Sequence, residues 1–115
     1  MLFSFVNMDV SDKTFEKEVI EKSKKIPVLV DFWASWCGPC RTLSPIIEKV
    51  EKDLKGKFIL AKVNVEENHN KPQEYGVMSI PNVKLFKNGE IVGEFVGAMP
   101  EEHVKAFLEK NGIKA

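Results

Sequence analysis

The stretch Val28-Leu29-Val30-Asp31-Phe32-Trp33-Ala34 is an almost unbroken apolar run, rich in β-branched and aromatic side chains. A strand with one wet face would alternate apolar and polar residues. A continuous run fits a strand buried on both faces. A chain built around such a strand must cover both sides of its sheet, which predicts helices on both sides and the α/β class. Asp31 is the one anomaly in the run.

Strands and helices alternate around this segment. Leu2 to Val6 predicts a short first strand. Ser11 has the chemistry of an N-cap, Asp12 falls in the first turn, and Phe15, Val19 and Ile20 share a helical face up to about Lys24. Pro27 stops that pattern. Leu43, Ile46, Ile47, Val50 and Leu54 recur at helical spacing in a segment beginning at Cys37, and Gly56 supplies its stop. Pro45 predicts a bend there, because its ring conflicts with the carbonyl of Arg41. Phe58 to Val65 reads as a strand containing Lys62, and 68–75 as a short helix or irregular turn. Val83 to Lys87 and Glu90 to Val96 flank Asn88-Gly89, the dipeptide whose tolerance of positive φ makes a two-residue hairpin. Pro100 opens a last helix with Val104, Phe107 and Leu108 on its apolar face, and Asn111-Gly112 closes it. The order predicts a single domain over 1–115, with a central mixed five-stranded sheet flanked by four helices. Strands separated by helices pair in parallel, and the hairpin adds antiparallel pairing.

Composition narrows the partners. Seventeen basic residues balance seventeen acidic ones, so nothing favours nucleic acid or an anionic membrane as the main partner. No run approaches the roughly 18 apolar residues of a membrane span. The start, Met1-Leu2-Phe3-Ser4-Phe5-Val6, has neither the basic region nor the apolar length of a signal peptide. The expected location is cytoplasmic. There a Cys-x-x-Cys pair reads as redox-active or metal-binding before it reads as a structural staple. One such pair supplies only two metal ligands. His69 and His103 lie in predicted surface segments and do not complete a set, so no bound metal is expected.

The chemistry therefore concentrates in Trp36-Cys37-Gly38-Pro39-Cys40, between the buried strand and a helix. Residues three apart on a helix share a face, with Cβ atoms roughly 5–6 Å apart. Modest adjustment brings two such cysteines into disulfide range. Position separates the two thiols. Cys37 sits at the helix N-terminus, where unpaired N–H groups and the helix dipole favour a thiolate, the attacking form. Cys40 lies one turn inside and should be the more buried. Those positions assign attack on a substrate disulfide to Cys37 and release of the mixed disulfide to Cys40.

The stretch from Val30 to Cys40 resembles the active-site segment of the thioredoxin family. The resemblance continues through Pro45, Lys62, Tyr75-Gly76-Val77, Ile80-Pro81, Phe86-Lys87-Asn88-Gly89 and Val96-Gly97-Ala98, nearly the whole chain. It implies a thioredoxin-like fold, a cis bond before Pro81, and a loop that packs against the cysteines and meets substrate backbone at Ile80. It also implies a flat apolar substrate groove of Trp36, Gly38, Pro39, Ile80, Pro81, Val96, Gly97 and Ala98. Asn82 stands where the family often has threonine, a change expected to affect local packing only. The implied activity is general protein-disulfide reduction by a monomer with no bound cofactor. Its redox centre would be the Cys37–Cys40 disulfide. A flavin- and NADPH-dependent thioredoxin reductase would return it to the dithiol, because the chain has no dinucleotide-binding glycine fingerprint of its own.

Asp31 is the second chemical feature. Burial should raise its pKa. Behind Cys40 it could accept that thiol's proton, and Lys62 on the adjacent strand is its expected charge partner. Two other functions compete with reduction. A disulfide isomerase or oxidase typically carries histidine between the cysteines, where this chain has Gly38-Pro39. A thioredoxin-like binding or assembly subunit would not need the thiols to turn over.

Overall fold

A computed structural model describes residues 7–114. The predicted strand at Leu2–Val6 lies outside them, and the first described strand, β1, is Asn7–Asp9. A helical segment follows, wound as a π-helix over Glu16–Glu21 and as a 3-10 helix over Lys22–Lys24. Then come β2 (Val28–Trp33), α1 (Gly38–Asp53), β3 (Ile59–Asn64), α2 (Asn70–Glu74), β4 (Asn82–Lys87), β5 (Glu90–Val96) and α3 (Glu101–Lys110). The sheet order is β1-β3-β2-β4-β5. β3 pairs in parallel with both β1 and β2, and β4 pairs antiparallel with β2 and β5. The five strands and four helical segments make the mixed α/β sheet that the alternation predicts.

β2 is the central strand, which is why its sequence is apolar on both faces. Leu29 points with Leu60 and Leu85 into a core closed by Leu43, Ile47 and Val50 of α1 and by Val104 and Leu108 of α3. Val28, Val30 and Phe32 point the other way, joining Ile59, Ala61, Val63 and Phe86 under Phe15 and Val19 of the first helical segment. Asp31 and Trp33 therefore face the α1 side, by the two-residue alternation of a strand. α1 runs from Gly38 to Asp53 as one element, with Pro45 inside it.

Local chemistry departs from expectation near Ser11. Its hydroxyl accepts the Thr14 N–H at 3.2 Å, while Thr14 Oγ1 accepts the Ser11 N–H at 2.9 Å. This reciprocal pair closes a turn ahead of the helix, which then starts at Phe15 without a side-chain cap. Asp12 serves a distant element instead. Its carboxylate accepts the N–H groups of Asn70 (3.2 Å) and Lys71 (2.8 Å) at the start of α2. The hairpin between β4 and β5 turns at Asn88 (φ 54°) and Gly89 (φ 81°), both in the left-handed region.

Gly93 of β5 lies beneath α3. A Cβ there would stand 3.2 Å from the Phe107 ring and from the Asn111 amide. Gly93→Ala is expected to destabilise the fold by about 1–2 kcal/mol through overpacking. The check is a lower urea midpoint with an unchanged slope. A midpoint equal to the parent's would mean that α3 moves aside freely.

Candidate active site

The site forms where β2 runs out of sheet. After Trp33 the chain turns, and Cys37 takes an extended conformation (φ −89°, ψ 110°) as the N-cap of α1. Pro39 fits the first turn, where its missing N–H had no helical partner. Cys37 and Cys40 form a disulfide with Cα atoms 5.2 Å apart. The Cys40 N–H points at Cys37 Sγ at 3.2 Å, so the sulfur occupies the place of a capping acceptor. Cys37 is 5% exposed and Cys40 1%, so the outer position belongs to Cys37. Ala34, Trp33, Val65 and Ile80 pack around the pair.

The turn before Cys37 is braced from two sides. Glu66, just after β3, accepts both the Ser35 N–H and the Ser35 hydroxyl at 2.8 Å. Those bonds hold the Glu66 carboxyl below its ordinary pKa. Arg41 donates to the Ser35 carbonyl at 2.8 Å. The sequence did not single out Glu66 or Ser35, because their meeting depends on how β3 and β2 align.

Of the expected groove residues, Ile80 lies beside Cys37, and Gly97 is bonded to Pro81. The Ile80–Pro81 peptide is cis, and the Ile80 carbonyl oxygen lies 3.8 Å from Cys37 Sγ. The Gly97 N–H donates to the Pro81 carbonyl at 2.8 Å, tying the end of β5 to this loop. Gly97 has a φ of 92°. Trp36 is 67% exposed and Val96 56%, and Gly38, Pro39 and Ala98 are also exposed. Pro81 is buried behind them, and Ile80 is half-buried. Beside Trp36, a shallow apolar cavity of about 190 Å³ is lined by Val65, Pro72, Val77, Met78 and Ile80. Met78 is 94% exposed there, and nothing in its sequence context separates it from ordinary surface. Asn82 is buried, and its Oδ1 has no hydrogen-bond partner among the described residues.

Asp31 is 2% exposed, and its Oδ1 is likewise unpartnered among the described residues. Burial raises its pKa from 3.8 to about 6, Lys62 opposes the rise, and Glu48 adds to it. Lys62 sits opposite Asp31 in the β2–β3 register. Its ammonium does not close the expected ion pair with Asp31. It reaches to α1, 2.6 Å from Ser44 Oγ and 3.2 Å from Glu48 Oε2, and lies 5.2 Å from the centre of the Trp33 ring. Lys62 therefore acts on Asp31 through its field and binds Glu48 directly. The physical reason is reach: a long flexible stem extends to a carboxylate that is partly hydrated, while Asp31 is sealed in the sheet.

Among the described residues, no group of three or more His, Cys, Asp or Glu is placed to hold a metal, and no helix is long and apolar enough to cross a membrane. His69 and His103 are both exposed, in separate helical regions.

A family model for thioredoxin matches residues 6–110. A thioredoxin of Rickettsia felis is 48% identical over 103 residues, covering 90% of this chain and 96% of the relative. One from Chlorobaculum thiosulfatiphilum is 44% identical over 103 residues, covering 90% and 94%. One from Pseudomonas aeruginosa is 41% identical over 104 residues, also covering 90% and 94%. With Cys37 capping α1 beside a cis-proline loop, its sulfur bonded to Cys40, and relatives matched over almost their full length, this chain belongs to the thioredoxin family and is a dithiol–disulfide oxidoreductase of the protein-disulfide reductase kind.

Proposed function

We propose that the chain is a general reductant of protein disulfides, acting as one domain over 1–115 in the cytoplasm, as a monomer and with no bound cofactor. In the dithiol form, the Cys37 thiolate attacks one sulfur of a substrate disulfide. A Cys37–substrate S–S bond forms and one substrate thiolate leaves. Cys40 gives its proton to Asp31 and attacks Cys37 Sγ. The mixed disulfide breaks, the second substrate thiolate leaves, and the Cys37–Cys40 disulfide remains. Two electrons pass to the substrate, and a flavin- and NADPH-dependent thioredoxin reductase restores the dithiol.

The observation that carries this reading is the placement of Cys37 Sγ at the mouth of α1. There it accepts the Cys40 N–H at 3.2 Å, and Cys37 is the less buried of the two residues. The capping N–H and the helix dipole favour negative charge on that atom in the reduced state. In this reading the groove of Trp36, Gly38, Pro39, Ile80, Pro81, Val96, Gly97 and Ala98 takes an extended substrate segment against its exposed apolar side chains, the pattern of strand-like peptide recognition.

A redox titration against glutathione, followed by NADPH-coupled insulin reduction with a bacterial thioredoxin reductase, tests the direction of electron flow. The expected midpoint is more reducing than glutathione, with sustained NADPH consumption. A midpoint more oxidising than glutathione, without reductase coupling, would reassign the chain to disulfide formation or isomerisation.

A further inference from the structure

We propose that Glu48 and Ser44 are positioning residues for the exchange reaction. They anchor the Lys62 ammonium on α1 and so keep it from pairing with the Asp31 carboxyl. The proposal rests on Asp31 accepting the Cys40 proton. Cys40, Ser44 and Glu48 follow one another at four-residue steps, so they share one face of α1. Lys62 arrives opposite Asp31 on a neighbouring strand, where strands lie roughly 4.8 Å apart. An unrestrained ammonium in that position would be drawn to the buried carboxylate. Here it is held in a closed set of contacts: Ser44 Oγ at 2.6 Å, Glu48 Oε2 at 3.2 Å, and the Ser44 hydroxyl itself 3.3 Å from the same Glu48 oxygen. The Trp33 ring faces the ammonium from a third side.

Among the described residues, Lys62 and Glu48 are the charges that bear on the Asp31 carboxyl. Its register neighbour on β4 is Val83. Lys84 lies on the opposite face by alternation and pairs with Glu94 at 2.6 Å. α3 presents Val104 and Leu108 to the shared core, and its Glu101 and Lys105 pair with Lys49 and Asp53 at the surface. α1 also carries the buried Glu51, whose carboxyl is raised by burial with Glu48 adding to the rise, and β1 sets Asp9 beside Lys62. Cys37 and Cys40 do not titrate in the disulfide. Glu48 thus influences Asp31 twice, by its own negative field and by restraining the cation that would oppose it. A carboxyl kept in this balance accepts a proton readily from the resolving thiol.

The test is the carboxyl titration of Asp31, followed by carbon-13 NMR in the oxidised protein, where neither cysteine contributes. Glu48→Gln keeps the side chain's shape and removes its charge. The expected result is a titration midpoint lower by about one pH unit or more, with Ser44→Ala moving it the same way by less. In single-turnover release from a Cys37 mixed disulfide, the rising limb of the pH profile should shift equally. Glu48→Asp should restore much of the parent profile. A purely structural role would change the urea midpoint and leave the titration in place, and an unmoved Asp31 midpoint in Glu48→Gln overturns the proposal. If Asp31→Asn leaves the parent's limb intact, the proton-acceptor reading fails. The catalytic part of this proposal then fails with it, whatever the titration shows.

Discussion

Cys37→Ser is expected to reduce insulin-disulfide reduction with dithiothreitol to the uncatalysed background, a fall of about three orders of magnitude or more. A serine hydroxyl at this N-cap can still accept the Cys40 N–H, so helix α1 keeps its cap and the fold its stability. What is lost is the sulfur that attacks. Cys40 cannot substitute, because it is 1% exposed and sits behind the first turn. The complementary variant, Cys40→Ser, should retain attack and lose release, so a Cys37–substrate mixed disulfide accumulates and survives non-reducing electrophoresis. Undiminished turnover in Cys37→Ser would remove the nucleophile from this position and leave the binding-subunit alternative standing.

Asp31→Asn is the second large effect, and it has opposite signs for stability and rate. The folded pKa of Asp31 stands at about 6 against 3.8 for the free group. An acid whose pKa is raised on folding binds its proton more tightly in the native state. Folding is thus favoured while the group is protonated in both states, below pH 3.8. Stability is lost as the pH climbs through the interval to about 6. At 1.36 kcal/mol per pH unit, the ionised carboxylate costs about 3 kcal/mol at neutral pH. Asn removes that cost, so the variant should be more stable than the parent by up to about 3 kcal/mol at pH 7–8, with the advantage vanishing near pH 3.5. Turnover should slow by about 100-fold, the low end for loss of a positioned proton acceptor. Urea midpoints across pH 3.5 to 8 and single-turnover release rates check both. A destabilised variant with full activity would take Asp31 out of the mechanism.

The parts of this protein legible in the sequence are those fixed by short-range chemistry. β2 could be read because a strand at the middle of a mixed sheet must be apolar on both faces. The β4–β5 hairpin could be read because Asn88-Gly89 accepts two successive positive φ angles. The functional pair was legible because three-residue spacing at a helix start fixes both proximity and asymmetry. What could not be read depends on the packing of distant segments. Asp12 looked like a first-turn residue of its own helix, yet it caps α2, 58 and 59 residues away. Lys62 looked like the partner of Asp31 because register makes them neighbours. Which carboxylate takes its ammonium is decided by α1 lying across the sheet. The four-residue repeat of Cys40, Ser44 and Glu48 was a usable sign that α1 carries polar groups toward the buried acid. The π winding of the first helical segment left no such sign, since Phe15, Val19 and Ile20 fit an ordinary amphipathic helix equally well.

The central claim is that two sulfurs one helical turn apart differ in readiness to react. Timed alkylation of the fully reduced protein with iodoacetamide at pH 7, resolved by peptide mass spectrometry, measures this directly. Cys37 should be modified at least about tenfold faster than Cys40, through its capped and less buried position. Equal and slow modification of both cysteines would contradict the account.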